Sequence, residues 1–159
     1  MMDLLLDEKY HKVVSALMEN AQSEILIVSF LFGSPPKKLS DRVMKLYSKL
    51  IEARHRGLVC RVILNYTVPE NTVGAENKTV SAWLASNGIQ CRYLPRNRVV
   101  HAKIVIIDGV SVIVGSHNWT RRAGERNFEA SILSDSKPVI EKARETFLNL
   151  WEDACPMPN

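Results

Sequence analysis

Apolar residues recur along this chain with two different periods, and the changes of period divide it into elements. Tyr10, Val13, Val14, Leu17, Met18 and Ala21 fall at helical spacing, which predicts an amphipathic helix near the N-terminus. From Glu24 to Phe32 the chain is almost continuously apolar over a strand's length, the pattern of a strand buried on both faces. Gly33-Ser34-Pro35-Pro36 breaks that run. Ser40 suits the N-cap of a second helix whose stripe is Val43, Leu46, Tyr47, Leu50 and Ile51. A second apolar strand is predicted over Val59 to Leu64, and the polar stretch from Pro69 to Glu76 reads as a loop. Val80, Trp83 and Leu84 mark a third helix ending near Gly88. Short strands follow over Ile89 to Leu94, Val99 to Ile107 and Val110 to Val114, the last two joined by Asp108-Gly109. Phe128 to Leu133 reads as a further strand, and Ser136 caps a final helix carrying Ile140, Ala143, Phe147, Leu150 and Trp151. Helices alternating with strands, then hairpin-linked strands, predict an α/β fold: a mixed β-sheet flanked by helices on both faces. No repeat or linker interrupts residues 1–159, so a single domain is expected.

Composition narrows the class. Hydrophobic residues make up 46% of the 159 and charged residues 24%, a globular balance. Cys60, Cys91 and Cys155 are too widely spaced for a metal site or a disulfide framework. No apolar run approaches the roughly 20 residues needed to span a bilayer. The start, Met1-Met2-Asp3-Leu4-Leu5-Leu6-Asp7-Glu8, has no basic n-region, so it does not read as a secretory signal. A soluble, cytoplasmic protein without integral membrane association is expected. The formal charge is +4 overall. Between Arg92 and Arg126, seven positive residues against two negative ones give +5, so the basic excess sits in one segment. That segment reads either as a solvated basic face or as the place where an anionic partner is met.

The same segment holds the candidate chemistry. His101 and Lys103 are two apart on a predicted strand, so they share a face. Charged side chains in an apolar strand need a partner or a task. A two-residue Asp108-Gly109 loop sets His101 opposite Ser116; shifting the loop by one residue sets it opposite Asn118. Either register puts Ser116 and Asn118 on the face of His101 and Lys103, and turns His117 and Asp108 away. An imidazole, an ammonium, a hydroxyl and a carboxamide on one face suit a phosphate, which lysine and asparagine hold by donated hydrogen bonds. Histidine can attack phosphorus or carry a proton. Asn127 and Glu129 lie on a later strand, where the Glu129 carboxylate could accept the other ring N–H of His101.

These residues resemble a known family. His101-x-Lys103-x4-Asp108, then six residues, then Gly115-Ser116-x-Asn118, with Asn127-x-Glu129 after it, is similar to the HKD signature of the phospholipase D superfamily. The order of elements and the Ser29-Phe30 strand end look like the small single-motif Nuc-type endonucleases, over roughly residues 5 to 151. The resemblance implies a phospholipase D-like fold and a metal-independent reaction without cofactor. It implies His101 as nucleophile, Lys103 and Asn118 as phosphate holders, Ser116 beside them and Glu129 orienting His101. The family's Asp, here Asp108, is counted in the motif in a supporting role, while strand parity reads it as a turn residue. One motif copy implies a homodimer that shares a site and its second histidine.

Arg121 and Arg122 are expected to follow a polynucleotide backbone; Trp119 reads first as core or dimer packing, with stacking on a base as its functional alternative. Phe30 is placed with the substrate by the strand end. His11 and His55, on predicted helices without ligand-spaced partners, read as surface residues, and no metal site is suggested. The leading function is hydrolysis of nucleic acid, DNA or RNA, single strands preferred. Phospholipid hydrolysis and a catalytically silent nucleic-acid-binding dimer are the alternatives.

Overall fold

The computed structural model describes residues 1–34 and 39–158; Pro35 and Pro36 of the expected break lie outside the described residues. The elements run β1 (Met2–Leu6), α1 (Glu8–Asn20), β2 (Glu24–Ser29), α2 (Asp41–His55), β3 (Val59–Leu64), α3 (Thr72–Ser86), β4 (Gln90–Tyr93), β5 (Ile104–Ile107), β6 (Ser111–Gly115), α4 (Arg121–Glu125), β7 (Ala130–Ser134), α5 (Lys137–Asp153) and β8 (Cys155–Pro156). Among the described residues the strands form one eight-stranded sheet in the order β1-β7-β6-β5-β2-β3-β4-β8. Strands β2, β3 and β4 are parallel; β5 is antiparallel to β2, and β6, β7 and β1 continue antiparallel from it.

The sheet separates two cores because successive strand residues point to opposite faces. Ile25, Ile27, Val62, Leu64, Val105 and Ile113 pack beneath α1, α2 and α3. Leu26, Val28, Ile63, Ile106 and Val112 pack against Ile140, Phe147 and Trp151 of α5. Strand β2 lies between the two cores, which is why its sequence is an unbroken apolar run.

The structure departs from the sequence reading at the margins. The stretch read as a loop through Glu76 already begins α3 at Thr72, because the Asn71 side chain caps it by accepting from the Gly74 amide at 2.9 Å. Residues 99–103 are not in a strand, and β7 begins at Ala130 rather than Phe128. Ser40 caps α2 as expected, whereas Ser136 stands at the N-cap of α5 without a side-chain cap bond. The edge strands β1 and β8 and the short α4 carried no usable periodicity.

Candidate active site

Most of the expected chemistry gathers where β2, β3 and β6 end and β5 and β7 begin. The β5–β6 hairpin that leads there has a register between the two expected. Ile107 pairs with Ser111, leaving a three-residue loop, Asp108-Gly109-Val110. Asp108 and Gly109 both take positive φ, 55° and 63°, in that loop. Val105 therefore faces Ile113, and the Lys103 carbonyl accepts from the Gly115 amide at 3.2 Å. Ladder parity thus does not by itself bring Lys103 to Ser116. His101 to Lys103 instead leave the ladder, and both side chains settle on Phe30 at the end of β2. The His101 ring centroid lies 4.9 Å from that of Phe30, and Lys103 Nζ lies 5.2 Å from the Phe30 centroid. Lys103 Nζ also donates to the His101 carbonyl at 2.6 Å. Phe30 thus packs beneath both side chains.

Asn118 joins the same strand end. Its Oδ1 accepts from the Leu31 amide at 3.2 Å, which leaves its NH2 as the donor toward a ligand. Behind it, Ser116 Oγ donates to Glu129 Oε2 and accepts from the Ala130 amide. Asn127 Nδ2 donates to Glu129 Oε1 at 2.9 Å. Among the described residues Glu129 thus accepts from Ser116 and Asn127, which ties it to Ser116. Burial pushes the Lys103 ammonium below its ordinary range, and the Glu129 carboxylate partly opposes that shift.

Two buried asparagines that the sequence reading passed over hold these loops together. Asn77 on α3 donates to the carbonyls of Phe30 and Asn65, each at 2.8 Å, and accepts from the Phe32 amide at 3.0 Å. Asn65, directly after β3, accepts from the Val100 amide at 2.9 Å. The loop before His101 is therefore tied through Asn65 and Asn77 to the end of β2. The available signal was a carboxamide on the apolar stripe of a helix, at 77 with 80 and 84, where a polar group has to be satisfied.

Other expectations are corrected. Trp119 cannot stack on a base: it is 1% exposed, lies parallel to Phe32 at 4.7 Å and donates from Nε1 to Tyr10 Oη at 3.1 Å. Asp108 sits at the far end of the hairpin from His101. Its carboxylate accepts from the amides of Gln22, Ser23 and Glu24, so it anchors the start of β2 from the turn, where strand parity read it. His11 is buried, not on the surface, whereas His55 is exposed. Arg121 and Arg122 lie exposed on α4, immediately after the site loop, with Arg121 paired to Glu125 at 2.8 Å. Among the described residues no three His, Cys, Asp or Glu side chains cluster so as to hold a metal ion.

A family model described as "Cardiolipin synthase, PLD-like domain" matches residues 14–151. The chain is 28% identical to the mitochondrial cardiolipin hydrolase of Xenopus tropicalis over 140 residues, 88% of this chain and 60% of that one. It is 32% identical to that of Chlamydomonas reinhardtii over 116 residues, 72% of this chain and 46% of that one. The chain thus spans about half to two-thirds of the length of these curated relatives. Among solved structures, the phospholipase D family member Nuc from Salmonella typhimurium superposes with a TM-score of 0.77 at 18% identity, covering 100% of both chains. NucT from Helicobacter pylori gives 0.75 at 18% identity, covering 98% of this chain and 99% of that one. At such identity these two likenesses show the fold.

Proposed function

The chain belongs to the phospholipase D-like domain family, and from that premise we propose that it is a metal-independent phosphodiesterase cutting nucleic acid at a site shared by two copies. The observation that carries the reading is the meeting of His101, Lys103 and Asn118 around the Phe30–Leu31 strand end, with Ser116 and Glu129 locked behind them. In the proposed reaction an imidazole nitrogen of His101 attacks phosphorus. The bond to the leaving oxygen breaks, and His101 of the partner subunit protonates that oxygen. The same partner imidazole then takes a proton from water, whose oxygen displaces the phosphohistidine bond and releases a phosphomonoester. Lys103 and the Asn118 NH2 hold the non-bridging oxygens and offset their charge, work that other nucleases assign to a metal ion.

One chain supplies one such histidine, and its surface favours a second copy. Helix α5 covers the β5-β2-β3 part of its face, while Leu4, Ile132 and Val114, in register across β1, β7 and β6, remain 49%, 38% and 44% exposed. A groove of about 450 Å³ lined by Ile104, Pro138, Val139, Lys142, Ala143 and Thr146 continues this apolar row beside α5. The row stops two residues short of Ser116. A twofold mate packed on it brings the two half-sites together.

Nucleic acid is favoured as substrate by the charge around the site. Arg96 and Arg98 precede His101, and Arg121, Arg122 and Arg126 follow Asn118, all exposed. A second reading, hydrolysis of a phospholipid, is favoured by the cardiolipin hydrolases among the relatives. The deciding experiment offers the protein single- and double-stranded DNA, RNA, and cardiolipin or phosphatidylcholine vesicles, with bis(p-nitrophenyl) phosphate as a general probe, with and without EDTA. Cleavage of polynucleotide and probe, unaffected by EDTA, is expected. Turnover confined to vesicles selects the lipid reading, and activity lost to EDTA and restored by Mg²⁺ overturns the proposed electrostatics. The reading places the chain in the cytoplasm; a fluorescent fusion that collects in mitochondria overturns that part.

A further inference from the structure

We infer that His117 is a positioning residue for this site, an assignment that rests on the phosphodiesterase reading above. Beyond the end of β6 the chain keeps a strand-like alternation. Gly115, His117 and Trp119 turn toward α1 and β7, while Ser116 and Asn118 turn to Glu129 and to the Leu31 amide. The side chain at 117 therefore sets the peptide that separates two site residues.

That side chain is held on three sides. It is 1% exposed. Its ring lies 4.0 Å above that of Tyr10 with the planes 5° apart, and the His11 ring meets it edge-on at 5.8 Å. Its Nδ1 is 2.8 Å from Ser131 Oγ. Ser131 Oγ in turn lies over Gly115, where a Cβ would approach it to 2.1 Å, so β7 grips the loop at both 115 and 117. The Nε2 of His117 is buried and makes no well-formed hydrogen bond, with the Asp7 backbone its nearest polar neighbour. A ring needed for packing alone would be better as phenylalanine, which stacks equally well and leaves no nitrogen unpaired. A polar ring at this place points to the Nδ1–Ser131 bond as the feature that matters. By fixing His117 along β7, that bond fixes where Ser116 and Asn118 stand relative to the phosphate.

The test uses the intact protein and bis(p-nitrophenyl) phosphate, with wild type as reference. H117F keeps the Tyr10 stack and loses the Ser131 bond; H117N keeps a nitrogen near the Nδ1 position. We expect H117F to melt within a few degrees of wild type, to lose about 10- to 100-fold in kcat, as displaced reacting groups do, and to hold KM within about twofold. H117N is expected to recover most of kcat. Ser131→Ala is expected to fall as H117F does, and the double variant to fall no further. Wild-type kcat in H117F, or equal losses in H117F and H117N, overturns the assignment. Should H117F not fold, Ser131→Ala decides alone, and an unchanged kcat there overturns it. An inactive wild type refutes the phosphodiesterase reading instead, which the reference measurement reveals separately.

Discussion

That His101, Lys103 and Asn118 gather in one place was legible in the sequence because each is a polar residue in or beside an apolar strand, where polarity has to be explained by a partner or a task. The same reasoning misplaced His11 and left Trp119 open between packing and a base. His11 lies beside Lys12 in sequence, and the local pattern does not reveal that α1 turns His11 inward against His117 or that Tyr10 Oη accepts from Trp119. The hydrogen-bond partners of Glu129 were not legible for another reason. A carboxylate two residues from Asn127 can be placed on a strand, but which hydroxyl occupies it depends on how β6 meets β7. At this scale the decisive variant is His101→Asn, which keeps a polar side chain of lesser reach and removes the proposed nucleophile. Turnover of bis(p-nitrophenyl) phosphate is expected to fall by at least about 10³-fold. Binding of a single-stranded oligonucleotide, followed by fluorescence anisotropy, is expected to stay within a few fold of wild type. Normal cleavage by this variant would show that another group attacks.

At the scale of elements, the hairpin β5–β6 was recognised from Asp108-Gly109, but its register was not. A two-residue and a three-residue loop differ by one residue, and the choice is made by Asp108, whose carboxylate reaches back 84 to 86 positions to the start of β2. No local pattern reports a partner at that distance. Burial raises the Asp108 carboxyl, while hydrogen bonds from Gln22, Ser23 and Glu24 lower it by more, so its net shift is downward. Its stabilising contribution is present above the ordinary carboxylate range near 3.9 and is lost as pH falls through the lower folded value. Replacing Asp108 with alanine leaves three amides at the β2 start without their acceptor. The expected loss is about 2 kcal/mol in urea unfolding at neutral pH, with the gap to wild type narrowing as acid protonates Asp108. Edge strand β1 escaped notice because exposed Leu4 and Leu6 flank buried Leu5, so its burial alternates while its sequence, three leucines in a row, does not.

For the whole molecule, the alternation of helical and strand periods was enough to give an α/β fold with helices on both faces of a mixed sheet. It could not show that one helix leaves half of a face open, since that depends on strand order. Substituting Ile132→Glu in the middle of the open row is expected to leave the fold intact, halve the mass seen by sedimentation, and abolish turnover along with assembly. A monomeric variant with full activity would break the shared-site reading. Acid should also act on the molecule as a whole. Burial pushes His11 down to about 4 and lowers His117, so both are neutral inside while their unfolded counterparts titrate near 6.5. The unfolded chain therefore binds more protons below pH 6.5, and stability is expected to be complete above that value and to decline steadily toward pH 4. Chemical denaturation at a series of pH values checks the slope, and His11→Phe should flatten it.

The clasp formed by Asn65 and Asn77 carries a consequence for how such a centre adapts. The amides of Val100 and Phe32 lie outside the named strands, yet each donates to a buried side-chain oxygen instead of to water. Their exchange with deuterium should be as slow as that of core strand amides. The ground proposed to receive a phosphate is then already rigid before any ligand arrives. New substrate preferences would have to come from the outlying surfaces around it, with the reacting geometry handed down unchanged.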